Sequence, residues 1–450
     1  MSISRRDFVR LSCCSAAAAA VLTGMNKFGL VSAYAQGLTD YKALVCIFLF
    51  GGNDGNNLLM PFDTAGFQTY TSLRGSLALP QASVKPITTK TGNTPFAMHP
   101  QLTDWQTMFN GGQLAMLANV GTLVAPITRQ QYLARSAAVP LNLFSHSDQQ
   151  REMQTSAPRD VNAVGWAGRI SDVMSSANAP SKFPTITSVA GNSILTQGVN
   201  TSPVTINPGQ TFGYSRFDTS AQSVARQTSA QQLLTLNTGV SLVQAAATQA
   251  SDAWTESKTL ADAMASAPTM ATTFPTTGIG RQFQQIAKIM QVRSALGMKR
   301  QIFFASLGGF DTHSAQIAAQ DSLFAQLGPA MGAFYNATVE LGIAPNVTSF
   351  TLSDFGRTLQ PDSDAGTDHA WGSHHVIMGG AVKGGEVYGR FPTLALGGPD
   401  DAGDEGRWIP STSLDQYAAT LASWFGVADS DLTTVFPNLA NFTTPKLAFL

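Results

Sequence analysis

Five of the six histidines in this chain stand beside an acid or a hydroxyl in short polar clusters. The clusters are Ser145-His146-Ser147-Asp148, Gly309-Phe310-Asp311-Thr312-His313, Thr367-Asp368-His369 and Ser373-His374-His375. Two acids follow the same pattern without a histidine, in Gly51-Gly52-Asn53-Asp54-Gly55 and Ser353-Asp354-Phe355-Gly356-Arg357. Imidazole and carboxylate donors together suit Zn, Mn, Fe or Mg rather than the thiolate-preferring metals. A divalent cation so held polarises an ester oxygen and activates water, which is the chemistry of a metal-assisted hydrolase.

The residue types suggest roles within such a site. Asp54, Asp311, His313, Asp354 and His369 are the candidate metal ligands. Ser145 is the candidate nucleophile, because a serine at a helix N-terminus near a cation can attack in line. Ser147 is its rival, and helix capping is the plain alternative for both. Arg357 offers a planar fork for a phosphate or sulfate oxyanion, and His374 is a second group for steadying such oxygens. His374 and His375 are adjacent, so in a strand they point to opposite sides. His99 reads as a structural histidine or an outer hydrogen bonder. The Gly51–Asn57 segment reads equally well as a tight turn, and Asp311 as a helix N-cap.

These groups need elements to bring them together. Residues 43–50 are apolar without alternation, as in a strand covered on both faces of a parallel sheet. Residues 113–120, 300–307, 346–352 and 376–378 read as further strands. Helical patterns fall between them at 281–296 and 322–341, and again at 414–425 near the C-terminus. Alternating strands and helices give an α/β fold with a mainly parallel central sheet sandwiched by helices. Ligands in such sheets bind at the carboxyl ends of the strands. Asp54, Asp311, His313 and Asp354 each follow an expected strand, and His369 and His374 fall in a loop before another. Residues 198–278 are rich in Ser, Thr, Gln and Ala and read as a polar helical insertion in a single domain spanning residues 36–450.

The chain has 450 residues, enough for a sizeable core, with 44% hydrophobic and only 12% charged residues. A net charge of −1 argues against a polyanion-binding surface, so no nucleic-acid partner is expected. Ser4-Arg5-Arg6-Asp7-Phe8 resembles a twin-arginine export signal, and Ala33-Tyr34-Ala35 supplies the small residues a signal peptidase reads. The expectation is a signal peptide over residues 1–35 and a periplasmic or extracellular protein. The apolar stretch at 11–24 is shorter than the roughly 20 residues that span a bilayer, so no stable membrane span is expected after cleavage. Cys13 and Cys14 would leave with the leader, and Cys46 would be a buried packing residue.

Taken in order, the leader, Phe50 to Gly55, Phe96 to Pro100, Ser145-His146, Gly308 to His313, Ser353 to Thr358, Gly366 to Gly385 and Val435 to Leu439 resemble the secreted bacterial "domain of unknown function 1501" proteins. That family is similar to the alkaline phosphatase and sulfatase superfamily, whose α/β sandwich carries one or two divalent metals. The resemblance implies that Asp54 bridges toward a second metal and that Ser145 occupies the nucleophile's place. It further implies that Asp311 and His313 form the first-metal pair, and that Asp354 and His369 are the later acid and histidine ligands. Two positions depart from the pattern. Thr312 alone separates Asp311 from His313, where three residues are usual, and Phe355 stands where a ligand histidine would, which weakens a second metal site unless His374, His375 or His146 substitutes.

The function expected from the resemblance is an exported, metal-dependent hydrolase of phosphate or sulfate esters. Its partners would be a small-molecule or glycan ester substrate and, during export, the twin-arginine translocase. The alternative is a non-catalytic secreted binding or assembly protein that keeps the fold with a degenerate metal site. A metal-free serine hydrolase ranks behind both, for want of a Gly-x-Ser-x-Gly element.

Overall fold

The computed structural model describes residues 40–209 and 220–450. The expected leader and its cleavage point lie outside the described residues, as does part of the insertion. Among those described, nine strands form the main sheet: β1 (Lys42–Phe50), β2 (Leu114–Gly121), β3 (Ile186–Ser188), β4 (Val204–Thr205), β5 (Arg300–Gly308), β6 (Val347–Ser353), β7 (Ser373–Gly379), β8 (Val387–Tyr388) and β9 (Thr412–Ser413). Their order is β8-β2-β7-β6-β1-β5-β3-β4, with β9 also paired to β2. Only β7 runs against its neighbours, β2 and β6; the other pairs are parallel. Leu59–Pro61, Lys85–Thr88 and Pro95–Met98 form a small antiparallel sheet beside it.

The helices of eight residues or more are α1 (Thr64–Arg74), α2 (Thr103–Gly111), α3 (His146–Thr155), α4 (Trp166–Val173), α5 (Ala221–Leu234), α6 (Ser241–Ala265), α7 (Gly278–Gln291), α8 (Gln316–Glu340) and α9 (Leu414–Phe425). They cover both faces of the sheet. Ala43, Val45, Ile47 and Leu49 of β1 pack with Trp105 and Phe109 of α2, Phe283 and Ile286 of α7, and Phe324 and Phe334 of α8. Leu44, Cys46 and Phe48 point the other way, onto Trp166 and Ile170 of α4 and Tyr417 and Leu421 of α9. Successive strand side chains alternate between faces, so an unbroken apolar run is what a doubly covered strand requires. Each such aliphatic or aromatic side chain contributes about 1.5–3 kcal/mol on burial. Cys46 is free and buried among them.

The α/β class and the sandwiching helices agree with the sequence reading. The strand expected at 376–378 is longer, begins at Ser373 and is antiparallel. His374 and His375 therefore lie inside a strand, not in the loop before it. The described residues of the insertion form helices α5 and α6 and reach the core through Leu260, Ala263 and Met264. No helix among the described residues is long and apolar enough to cross a membrane.

The topology puts three loops at one edge. Phe50 is level with Gly308, and Leu49 with Ser353, so parallel β1, β5 and β6 end side by side. Because β7 is antiparallel, its start lies at that same edge, which brings in the loop carrying His369. Gly51 leaves β1 at φ +115, and a Cβ there would lie 2.4 Å from the Asp311 backbone nitrogen. Only glycine permits so close an approach of the first loop to the second.

Candidate metal centre

Three imidazoles converge on one carboxylate oxygen. Asp311 Oδ1 lies 3.0 Å from His313 Nε2, 3.3 Å from His146 Nε2 and 3.4 Å from His369 Nε2. His313 Nε2 and His369 Nε2 are 2.9 Å apart. Asp311 and His313 follow β5, His369 precedes β7, and His146 is the first residue of α3. The four come from three segments of sequence and meet because the sheet aligns its strand ends.

The far nitrogens of two imidazoles are fixed. His369 Nδ1 lies 2.7 Å from the Phe144 carbonyl oxygen, which only accepts, so Nδ1 carries the hydrogen and Nε2 the lone pair. His146 Nδ1 lies 2.7 Å from Asp354 Oδ2, with the same consequence. Phe144 adopts φ +73 at this point, a conformation rare for so bulky a residue. Asp354 is itself held by Gly51 N–H at 3.1 Å and Gln150 Nε2 at 2.6 Å. Partial burial and the neighbouring positive groups, led by Arg357, carry His369 below its ordinary pKa, although the Phe144 bond opposes this.

These observations fit a divalent cation. His146 Nε2 is buried and has no hydrogen-bond partner, while its lone pair faces Asp311 and the other imidazoles. One ligand atom from each of His146, Asp311 and His369 lies within 4.8 Å of the others. The His369 Nε2 lone pair lies 2.9 Å from His313 Nε2, a contact that a proton on His313 or a shared cation satisfies. Tetrahedral ligands at about 2.0–2.1 Å from zinc sit about 3.3 Å from one another, close to the spacings found here. Outer partners that orient ligand histidines, here Asp354 and the Phe144 carbonyl, are usual around protein-bound metals.

Arg357 binds the same Asp311 oxygen and is fully buried. Partial burial raises the Asp311 carboxyl, but the bond and charge of Arg357, with His146 and His313, hold it below the usual carboxylate range. The guanidinium also donates to the carbonyls of Gly51, Gly52 and Thr367. Four of its five N–H donors are spent on the protein, and the side chain is buried, so it stands as a brace for Asp311. Phe355, the departure from the family pattern, lies with its ring centroid 4.8 Å from that of His146 and 4.6 Å from that of His369. It backs the two imidazoles where a ligand was looked for.

The other expected site residues fall elsewhere. Asp354 stands behind His146, with both oxygens engaged. Asp54 is buried at the N-cap of the Gly55–Leu58 turn, and its oxygens accept from Asn56 N, Asn56 Nδ2, Gln316 Nε2 and Arg74. Burial raises its carboxyl while Arg74 opposes the shift. Arg74 thus supplies the positive partner expected of a second metal. Ser145 is the N-cap residue of α3, one residue from His146, and its hydroxyl donates to Asp148 Oδ2 at 2.7 Å. No hydrogen bond joins it to the imidazoles among the described residues.

His374 is not brought to the centre. It is buried in β7, stacks on Phe391 at 4.9 Å and accepts from Asn119 N–H at 3.0 Å; burial lowers it to about 3. His375 points to the other face, near Tyr417, as strand alternation requires. His99 is buried against Phe324, matching the structural reading. The sequence reading offered His146 only as one of three substitutes for the position that Phe355 occupies, and the geometry brings it to Asp311. That reading missed Arg74 and Gln316 altogether, for their partners are far away in the chain.

The fold is α/β, and at the carboxyl edge of its sheet His146, His313 and His369 meet around Asp311. Residues 41–402 match the family described as "Protein of unknown function (DUF1501)", and the chain belongs to it. No curated protein matches. Among solved structures, PsFucS1 sulfatase from Pseudoalteromonas sp. is similar at 10% identity and TM-score 0.37, over 93% of this chain and 74% of that one. Ps i-CgsB in complex with k-i-k-neocarrahexaose is similar at 10% identity and TM-score 0.33, over 88% of this chain and 74% of that one. Likeness of this degree is silent on activity.

Proposed function

We propose that the protein is an exported hydrolase of phosphate or sulfate esters with a single divalent cation held by His146, His313, His369 and Asp311. The observation that carries this reading is the convergence of three Nε2 atoms on Asp311, with His146 Nε2 buried and unpartnered. Imidazole-rich ligation favours zinc or iron over magnesium. Bound there, the cation supplies Lewis acidity toward an ester oxygen and makes water more acidic.

The chain's own residues orient that chemistry. Asp354 and the Phe144 carbonyl hold two imidazoles in the ligating tautomer. Arg357 fixes Asp311, and Phe355 prevents the rings from tilting away. Asp311 and His313 keep 47% and 45% of their side-chain surface exposed, so the centre faces solvent on one side. Four protein ligands fill a tetrahedral sphere, whereas catalytic sites keep a position open for water or substrate; hydrolysis here requires a fifth position on that exposed side, or release of one ligand. Ser145, at the rim beside His146, is the nucleophile in this reading, and water is the alternative.

A second reading is an exported binding protein with the same cation in a structural role. It draws support from Arg357 and His374, whose polar groups are committed inside the protein and leave no oxyanion clamp there.

Metal content by mass spectrometry on exported protein, purified without chelator or histidine tag, tests the centre. One equivalent of a divalent metal, lost in Asp311→Ala, supports it, and a folded protein without metal rejects it. Hydrolysis of aryl phosphate or sulfate esters, abolished in the same variant, separates enzyme from binding protein. N-terminal sequencing of that material tests cleavage before Gln36.

A further inference from the structure

Gln316 opens α8, and it is fully buried. Its Oε1 accepts from Thr312 Oγ1 at 3.0 Å and from Thr367 Oγ1 at 2.5 Å. Its Nε2 donates to Asp54 Oδ2 at 2.7 Å, on the carboxylate that Arg74 neutralises. Thr312 lies between Asp311 and His313, and Thr367 lies two residues before His369. One amide group therefore touches both loops that carry ligands and ties them to a buried ion pair.

The backbones are stitched at the same place. Thr367 N–H donates to the Thr312 carbonyl at 3.1 Å, and Gln316 N–H to the Ala365 carbonyl at 3.0 Å. A Cβ on Gly366 would lie 2.0 Å from the His313 carbonyl carbon, so the loops meet main chain to main chain. A buried amide costs free energy unless its polar atoms are matched. Here donor and acceptor are both matched, and the acceptor is shared between the two loops. An apolar residue would leave two hydroxyls and Asp54 without their partner. A carboxylate would set two like charges against each other.

We propose that Gln316 is a positioning residue for the cation: it holds the Asp311–His313 loop and the His369 loop at the separation that one metal ion needs. The proposal rests on reading His146, Asp311, His313 and His369 as a cation centre. Gln316 touches no ligand atom, so its effect passes through Thr312 and Thr367.

Co2+ is the probe, titrated into the full-length, metal-free chain against a competing chelator while its visible absorption is recorded. In Gln316→Met the affinity should fall by about 10–100-fold, the range found when outer partners of metal ligands are lost. The Co2+ absorption bands should shift as well, a change that loss of stability alone would not produce. Thr367→Val should weaken binding in the same direction, and Thr367→Ser, which restores the hydroxyl, should recover it. If Gln316→Met does not fold, the Thr367 pair decides, since it differs by one polar group on a loop. Unchanged affinity and spectrum in folded Gln316→Met or in Thr367→Val overturns the positioning role and leaves the cation centre standing. An unsubstituted chain that binds no Co2+, Zn2+ or Mn2+ overturns the centre, and this proposal with it.

Discussion

Asp354 Oδ2 lies 2.7 Å from Nδ1 of His146, while the opposite nitrogen of that imidazole faces Asp311. The carboxylate serves as the outer half of a carboxylate–histidine pair, a place it reaches because β6 ends beside β1 and α3 begins above both. In Asp354→Asn the side chain keeps its size but loses the charge that favours the Nδ1–H tautomer. Cation affinity should drop by about 10–100-fold with the fold intact. Competition titration checks this, and affinity equal to the unsubstituted chain would show that His146 needs no outer partner.

Removal of a ligand should act more strongly. His369→Ala takes away one imidazole and frees the Phe144 carbonyl, and metal should be absent from the purified variant. The circular dichroism spectrum should be unchanged, since His369 lies in a loop outside the two packed layers. A variant that retains a full equivalent of metal would remove His369 from the ligand set.

Ser145→Ala separates nucleophile from bystander. Its hydroxyl bonds Asp148 and not a ligand, so the variant should load metal normally. Ester turnover should fall by at least about 100-fold if Ser145 attacks the ester. Full turnover with full metal content would assign the attack to water.

Stability should be greatest over a plateau from about pH 4.5 to 6.5 and fall on either side. Burial holds His99, His374 and His375 at about 3 in the folded chain, against 6.5 for the free side chain. The unfolded chain binds more protons at these positions between those values, so their contribution is present above pH 6.5 and is lost as pH falls toward 3. Glu152 is raised by burial to about 8, Asp415 by burial to about 7 and Glu256, by burial and the nearby Asp252, to about 7. Their contribution is present at low pH and is lost as pH rises from the ordinary carboxylate range through those values. Thermal unfolding from pH 4 to pH 9 reads the balance, and a midpoint that rises steadily to pH 9 would contradict these buried states.

The sequence made the framework legible where one residue type had one use. An unbroken apolar run at 43–50 fits only burial on both faces, and the structure covers β1 on both. Asp311, His313 and His369 stood out because ligating side chains after or before strands have few other duties. For Arg357 and His374 the residue type left more than one use open. A guanidinium braces loops as readily as it binds an oxyanion, and a histidine in a strand stacks as readily as it catalyses. The linking groups left no local trace. Gln316 and Arg74 meet at Asp54, which is 262 residues before the first and 20 before the second.

The pairing of Arg357 with Asp311 has an electrostatic consequence at longer range. The guanidinium cancels the only formal charge among the four proposed ligands, and neutral imidazoles bring none. Farther out, Arg74 does the same for Asp54, which leaves Asp354 behind His146 and, on the solvent side, Asp362 and Asp368 beside His313. Asp368 Oδ1 lies 3.6 Å from His313 Nδ1. The two charges of a loaded cation therefore meet carboxylates on both sides, and the pull on an anionic ester is confined to the metal itself. Added salt should then change little in how fast such an ester arrives, because no excess field of one sign extends from the centre.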